Sequence, residues 1–501
     1  MNKNHFIIAL LMLCLGCTSE ESSVNQEINA SPQLKSIYFD RTHNEALPVN
    51  VNFQQQGDKF LAKVNRNVSR KVLIPTFEVE GEKVLLGGSE IQSGVSPANF
   101  TTTQTLEVTS EGFESKSYDI EVVRFTNLPI VDIRTQNSQP IDQKEDYVKA
   151  TISMFSDVHE EYNFTDLTGG IRGRGNSTWY FHEKKPYQLK FDEKQSMFGL
   201  PKDKKWIFLA EQSDKTLLRN RLAFEMGRIS TLPYTPKGEM AEVFLNDQYI
   251  GTYHICQKVE ESSNRVDLKD DGWLMEIDQL DRIDEGDTYF STNTFYINIK
   301  DPDTDFNSES YTHVRDHIND FENALMGEDF RDTEKGYRKY VDMTTFADWF
   351  LINEILRNPD ARNWSSIYLT YIRGEKITMG PLWDFDLALG NSTYDDYVHG
   401  NTSGFWVRDN PWIDRMLDDP EFAKVVRERL NYYKSELPNL LQFIDDNASY
   451  LQYAQVENDK KWDVIGVYHW PNLFVYDTYE EEVNHIKRFM SERLEWLDEN
   501  L

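Results

Sequence analysis

The spacing of apolar residues changes along this chain, and this change restricts the fold more than any other feature. From Leu34 to Phe125 apolar and polar residues alternate, as at Val49, Val51 and Phe53, with Gly or Asn between the runs. Towards the C-terminus apolar residues recur at helical spacing instead, as in 486–494. Strands that come first and helices that come later predict an α+β fold rather than a doubly wound sheet.

The alternating part divides into two predicted domains. Short, evenly spaced strands over 33–126 predict a small all-β immunoglobulin-like sandwich that serves as a spacer or protein-contact module. Residues 127–501 form a larger mixed domain, in which Asn246-Asp247-Gln248 is the predicted tip of a hairpin. Further on, an amphipathic helix is predicted to start at Asp342, a residue type that caps helix N-termini.

The N-terminus predicts export. The apolar run from Phe6 to Leu13 has the layout of a secretion signal over 1–17, and it is too short to span a bilayer. Cys17 follows Gly16 as in a lipobox, which implies that Cys17 is lipidated; an ordinary cleaved signal is the alternative. A polar tether over 18–32 follows, and its first residues resemble the acidic tract that sends lipoproteins to the outer face of Bacteroidetes-type cells. We therefore expect a surface-exposed outer-membrane lipoprotein, held to the membrane by its lipid anchor.

Charge and cysteine content exclude several classes of protein. The 501 residues include 53 basic and 84 acidic ones, a net charge of −31, so a nucleic-acid partner is not expected. Cys256 is the one cysteine beyond the N-terminal signal, which excludes a disulfide framework and a cysteine-based zinc site within one chain. We expect Cys256 to be a buried strand residue.

A cationic cluster is the first group of residues that could carry chemistry. The stretch 172–177 reads Arg-Gly-Arg-Gly-Asn-Ser, and Lys184, Lys185 and Lys190 follow it, the last in a strand-like segment. Glycine allows the backbone to approach a ligand closely, and the cations supply charge, so the pattern favours an anionic ligand. The alternative is a solvated turn with salt bridges at its rim.

A group of carboxylates is the second set of residues that could carry chemistry. Asp360 lies before a predicted hairpin, and Asp384 and Asp386 lie after it, so the hairpin can return them to the same end of a sheet. Converging carboxylates repel each other unless a cation neutralises them, and Mg²⁺ or Mn²⁺ prefers such all-oxygen ligands. Alternatively, Asp360 caps a turn and the other two are exposed loop charges. The alternation of Trp383 and Phe385 with these acids argues for a fixed segment.

A phosphoryl-transfer site needs positive charge to hold phosphates, a base and a metal ligand, and the two clusters together supply these parts. Residues 128–501 resemble the CotH-type atypical kinase family. Seven segments carry the resemblance in order, namely 171–179, 184–191, 205–226, 243–260, 264–268, 272–278 and 380–391. The resemblance implies an atypical protein-kinase-like fold, ATP and Mg²⁺ as cofactors, and phosphoryl transfer to protein hydroxyls.

The resemblance also implies roles for individual residues. Asp360 corresponds to the catalytic aspartate and Asp384 to the metal-binding aspartate of the kinase Asp-Phe-Gly motif. Lys190 is the predicted phosphate-binding lysine, with Arg174 as a second candidate. Asp386 replaces the glycine of the motif and could supply a further metal-binding carboxylate.

The chain departs from the kinase pattern at the second metal ligand. The common pattern places an asparagine five residues after the catalytic aspartate, and that position is Ser365, while Asn363 is two residues off. The leading hypothesis is therefore an extracytoplasmic, Mg²⁺-dependent kinase that transfers phosphate from ATP to protein Ser or Thr. The alternative is an inactive pseudokinase-fold module that binds a glycan or a protein at the cell surface. A metallohydrolase is disfavoured because the ten histidines are scattered without a His-Glu-x-x-His spacing.

Overall fold

The computed structural model describes residues 31–394 and 400–501. Cys17, the predicted signal and most of the predicted tether lie outside the described residues. The described chain divides into two compact units, one formed by 31–64 and 68–122 and the other by 65–67 and 123–501.

The first unit contains two antiparallel sheets that share one apolar core. One sheet has the strand order β2-β1-β5 and the other the order β3-β4-β9-β8-β6-β7. Its strands are β1 (Gln33–Phe39), β2 (Val51–Asn52), β3 (Gln54–Gln56), β4 (Lys59–Val64), β5 (Pro75–Glu80), β6 (Lys83–Leu86), β7 (Ser89–Glu90), β8 (Gln104–Thr109) and β9 (Lys116–Arg124). Phe39 of β1, Leu106 of β8 and Ile120 of β9 are fully buried in that core, as their alternation with polar neighbours predicts.

The second unit begins with a closed barrel of order β10-β11-β12-β13-β14-β16-β15. Its strands are β10 (Ile130–Thr135), β11 (Val148–Phe155), β12 (Phe164–Gly173), β13 (Tyr187–Gln195), β14 (Asp203–Leu209), β15 (Gly238–Leu245) and β16 (Gln248–Gln257). The pair β10 and β15 is parallel and closes the barrel, and the other pairs are antiparallel. The predicted hairpin is confirmed by β15 and β16, and Cys256 is fully buried in β16 as expected.

A five-stranded sheet of order β18-β19-β17-β20-β21 follows the barrel. Its strands are β17 (Gly272–Asp278), β18 (Thr288–Ser291), β19 (Tyr296–Asp301), β20 (Ile367–Ile372) and β21 (Thr378–Met379). Strands β20 and β21 are the hairpin predicted between Asp360 and Asp384. The mixed α+β character of the chain is thereby confirmed.

Helices form much of the rest of the second unit. They are α1 (Ser177–Phe181), α2 (Arg219–Arg228), α3 (Glu309–Met326), α4 (Met343–Leu356), α5 (Pro411–Leu417), α6 (Pro420–Tyr450), α7 (Ala454–Trp462) and α8 (Tyr479–Asn500). Helix α4 packs against β21 of this sheet and α7 against β16 of the barrel. Asp342 caps α4 as predicted, because its carboxylate accepts hydrogen bonds from the backbone N–H groups of Thr344 and Thr345. None of these helices has the length and apolar content that crossing a bilayer requires, as far as the described residues go.

Helix α4 is buried on all sides, so the prediction that it is amphipathic is wrong. Several of its polar residues are buried as well, and the two charged ones, Asp348 and Glu354, are paired with side chains from other helices. Asp348 accepts hydrogen bonds from Arg429 Nε at 2.5 Å and from the Tyr433 hydroxyl at 2.9 Å. Glu354 forms an ion pair with Arg493 of α8 at 2.7 Å. These charges are paired because an isolated charge would be very costly in this core.

Candidate functional site

One polar cleft of about 270 Å³ in the second unit contains most of the residues that the sequence singled out. It lies where the turn after β12, the end of β17, the turn after α4 and the segment after β21 meet. Its acidic lining residues are Glu276, Asp278, Asp284, Asp360, Asp384 and Asp386, and its cationic ones are Arg174, Arg282 and Lys300. The predicted convergence of Asp360 and Asp384 with a cation from far earlier in the chain is present in this cleft.

Asp360 reaches the cleft because α4 stops abruptly. Arg357 takes a left-handed conformation with φ 50°, and Asp360 then opens a short 3₁₀ turn that runs to Arg362. The Asn358 side chain holds this turn, since it accepts a hydrogen bond from the Asp360 N–H at 3.3 Å and donates one to the Asp384 carbonyl oxygen at 3.3 Å. The backbones of the two predicted catalytic aspartates are thus joined through a single amide side chain.

The Asp384-Phe385-Asp386 segment is held from the other side of the cleft. Asp384 has a positive φ of 66°, a strained conformation that persists only where surrounding contacts impose it. The Phe385 N–H donates to Asn220 Oδ1 at 2.8 Å, and the Ser213 hydroxyl donates to Asp386 Oδ2 at 2.6 Å. Phe385 is buried, and its burial fixes the backbone from which the carboxylates of Asp384 and Asp386 extend.

The carboxylates of the cleft carry more negative charge than the cleft neutralises. Burial raises the pKa of Asp360 to about 7, and the neighbouring Asp384 adds to this rise. Burial also raises the pKa of Asp384 to about 6, with a contribution from Asp386, and that of Asp386 to about 7, with a contribution from Glu211. Each shift means that ionisation of the group is disfavoured without a nearby cation.

Arg174 is the residue of the cationic cluster that reaches the cleft. It follows β12, and its guanidinium lies over the Trp383 ring at 5.5 Å from the ring centroid. Its charge lowers the pKa of Asp384 against the opposing effect of burial. Residues 175–178 also line the cleft.

Lys190 is not brought to the cleft. It lies in β13 between Leu189 and Phe191, which are both buried in the barrel core. Because side chains alternate along a strand, Lys190 points out of the barrel, where it is exposed and lies 5.9 Å from the Tyr147 ring. Lys184 is fully buried and donates to the Thr252 carbonyl oxygen at 2.5 Å, so it is also engaged elsewhere.

Arg282 is a cleft residue that the sequence did not indicate. It ends a short 3₁₀ turn after β17, and its Nη1 donates to Ser365 Oγ at 2.8 Å. Its charge lowers the pKa of both Asp360 and Asp384, against the effect of burial. The surrounding sequence Asp-Arg-Ile-Asp-Glu reads as an ordinary charged loop, and no motif within it marks the arginine.

The donor set of the cleft suits a hard divalent cation. The side chains of Asp384 and Asp386 are hydrogen-bonded to each other, which places two carboxylates side by side, and both pKa values are raised. A cation that binds oxygen ligands would relieve the repulsion between them. Across 31–394 and 400–501, however, no three or more His, Cys, Asp or Glu side chains are grouped closely enough to hold a metal ion.

The fold and the cleft together define an α+β protein with a deep site of paired carboxylates and arginines. The family model described as CotH kinase protein matches residues 171–497, well over half of the chain, and the chain belongs to this family. Comparison with curated proteins gives no match. Among solved structures, a Bacteroides thetaiotaomicron protein provisionally described as a glycoside hydrolase is 12% identical over 59% of this chain and 89% of its own. Its TM-score of 0.15 is too low to support any structural argument.

Proposed function

We propose that the second unit is a kinase-like enzyme that transfers the γ-phosphoryl group of ATP to the hydroxyl of a protein Ser or Thr. Membership of the CotH kinase protein family supports a kinase-like protein. The observation that carries the proposal is the convergence of Asp360, Asp384 and Asp386 with Arg174 in one cleft. Carboxylates alone would repel a phosphate, and the arginine gives the cleft a group that attracts it.

Asp360 is the proposed base. A carboxylate whose pKa is raised to about 7 by burial binds a proton more readily than an ordinary aspartate, so it suits the acceptance of a hydroxyl proton near neutral pH. In the proposed step the acceptor oxygen bonds to the γ-phosphorus, and the bond from that phosphorus to the β,γ-bridging oxygen breaks. The hydroxyl proton passes to Asp360, and ADP leaves.

Asp384 and Asp386 are the proposed ligands of Mg²⁺. Bound there, the ion would supply positive charge beside the phosphates. Arg174 would bind phosphate oxygens, and its stacking on Trp383 orients the guanidinium beside the acids. Lys190 has no part in the proposed site because it is directed away from the cleft.

The test is transfer of labelled phosphate from ATP to a casein acceptor by the purified protein. We expect Asp360→Asn to lose at least about 100-fold in rate, since a positioned base contributes about that much. Asp303→Asn is the matched control, because Asp303 is an exposed aspartate that does not line the cleft. Equal transfer by wild type and Asp360→Asn would contradict the assignment.

A second measurement separates the enzyme from its alternative, the binding module. ATP with Mg²⁺ should raise the melting temperature of the wild type and leave that of Asp384→Ala unchanged, because the variant lacks a proposed metal ligand. If neither protein responds to the nucleotide, the pseudokinase-fold binding module becomes the better proposal.

We further propose that the enzyme works outside the cytoplasm, on an outer-membrane lipid anchor at Cys17, with the first unit as an immunoglobulin-like spacer. The support is the lipobox-like sequence that ends at Cys17. Labelled palmitate should be incorporated into the wild type and not into Cys17→Ser. Retention of the variant in the outer-membrane fraction would contradict the anchor.

A further inference from the structure

The position that carries the second metal ligand in the kinase pattern holds a different residue type in this chain. Ser365 stands where the kinase pattern carries an asparagine, and Asn363 is the nearest amide. Among the described residues that line the cleft, Ser365 is present and Asn363 is not. The Asn363 Oδ1 atom is instead buried without a hydrogen-bond partner in the described part of the chain.

Arg282 occupies the space beside Ser365. Its Nη1 donates to Ser365 Oγ at 2.8 Å, and it lines the same cleft as Asp360 and Asp384.

The surrounding contacts fix Arg282 in this position. Three residues before it, Gln279 Nε2 donates to the Asn363 carbonyl oxygen at 2.6 Å. At the end of β17, Glu276 Oε1 accepts a hydrogen bond from the Ser366 N–H at 3.0 Å. Arg282 is exposed, but the turn that carries it is tied to the segment around Ser365 at three points, which places the guanidinium beside Ser365 before any ligand binds.

The other cation on this wall is already neutralised. Lys300 Nζ lies 3.2 Å from an Asp287 carboxylate oxygen and 3.8 Å from one of Glu276. Arg282 has a hydroxyl as its hydrogen-bond acceptor in the cleft, so its charge remains available to an anionic ligand.

We propose that Arg282 replaces a second divalent cation. Its guanidinium supplies the positive charge and binds phosphate oxygens of the donor between Asp360 and Asp384. This inference rests on the proposed function and adds to it the number of divalent cations that the site needs. Guanidinium is always charged and offers paired N–H donors that match phosphate oxygens, so the site needs one metal ion rather than two. Ser365 is the positioning residue that orients it.

Binding of inorganic tripolyphosphate in EDTA, measured by calorimetry, tests the charge of Arg282 without metal and without turnover. We expect the wild type to bind and Arg282→Gln to bind about 10- to 100-fold more weakly, the range for loss of one charged partner. Arg282→Lys should recover part of the affinity. Arg315→Gln is the matched control, because Arg315 is a partly exposed arginine outside the cleft that pairs with Asp316 at 2.7 Å.

The outcomes separate the two proposals. Equal tripolyphosphate affinity of wild type and Arg282→Gln overturns the role of Arg282 and leaves the proposed function standing. Absence of binding by the wild type overturns both. Loss of transfer in Asp360→Asn, with tripolyphosphate binding retained there and lost in Arg282→Gln, supports both.

The requirement for Mg²⁺ gives an independent readout. In the wild type we expect ATP binding to saturate with a single class of Mg²⁺ site, and in Arg282→Gln the half-saturating Mg²⁺ concentration should rise about tenfold or more. The double variant Arg282→Gln/Ser365→Asn restores the kinase-type amide, and it should regain ATP affinity at high Mg²⁺ with a steeper Mg²⁺ dependence. An unchanged Mg²⁺ dependence in Arg282→Gln overturns the proposal.

Discussion

Glu211 offers a direct test of the electrostatics behind the cleft. It is buried, and burial together with Asp214 raises its pKa from an ordinary 4.5 to about 8. Asn220 Nδ2 donates to its two carboxylate oxygens at 3.2 and 3.0 Å, and His254 Nδ1 lies 3.7 Å away. Burial lowers the pKa of His254 to about 3, so this neighbour is neutral and gives no ion pair.

The sign of the pH dependence follows from the raised pKa. Between pH 4.5 and about 8 the folded protein keeps a proton on Glu211 that the unfolded chain has lost. The free energy of unfolding therefore falls as the pH rises through this interval. The full shift corresponds to about 5 kcal/mol at about 1.4 kcal/mol per pKa unit. We expect the free energy of unfolding to fall by about 2 kcal/mol, because the effective dielectric constant around buried groups in proteins is higher than that of a dry interior.

Glu211→Gln removes this titration and keeps the side-chain shape. Its amide oxygen can still accept from Asn220, and its amide N–H can donate towards the His254 Nδ1 atom, which is buried without a hydrogen-bond partner among the described residues. The variant should exceed the wild type in stability by about 2 kcal/mol at pH 8.5 and by much less at pH 5.

The assay is urea unfolding followed by tryptophan fluorescence at pH 5, 7 and 8.5. All 11 tryptophans lie between Trp179 and Trp496, so the signal reports on the second unit alone. Glu285→Gln, at an exposed position, is the control and should follow the wild type at every pH. Parallel pH profiles for wild type and Glu211→Gln would refute the reasoning, as would a stability gain that is largest at pH 5.

Three shorter predictions test the fold and the site. Arg493→Met should destabilise the second unit by about 3–5 kcal/mol in the same urea assay, because it leaves the buried Glu354 carboxylate without its ion pair; a loss below about 1 kcal/mol would contradict this. Gly173→Ala should destabilise it by about 1–3 kcal/mol, since an added Cβ would lie 2.4 Å from an indole ring; an unchanged unfolding midpoint is the opposing result. In calorimetry, Arg174→Ala should weaken tripolyphosphate binding about tenfold or more, and Lys190→Ala should leave it unchanged. A larger loss of affinity in Lys190→Ala than in Arg174→Ala would instead favour Lys190 as the phosphate-binding residue.

Local signals in the sequence were sufficient for several elements. The turn residues between 245 and 248 specified the β15–β16 hairpin, and Asp342 marked the start of α4, because a hairpin tip and a helix cap depend on a few adjacent residues. Membership of the CotH kinase protein family was also predictable, since the order of short sequence segments can be recognised without tertiary information.

Helix α4 shows where local reasoning fails. Its sequence contains Asp348, Asn353 and Glu354, and polar residues in a helix ordinarily indicate a solvent-facing side. Arg429 and Arg493, which lie far away in the chain, neutralise Asp348 and Glu354 inside the core. A periodicity within one helix contains no information about such partners.

The sequence by itself determined the α+β character, the family and three of the acidic cleft residues, Asp360, Asp384 and Asp386, because these depend on periodicity, segment order and residue type. Only the tertiary structure decided which cations serve the cleft. The alternation of β13 turns Lys190 outward, and the turn after β17 carries Arg282 to the carboxylates from more than 70 residues earlier in the chain. Charge interactions depend on distance in space, and the closure of the barrel against the sheet sets that distance.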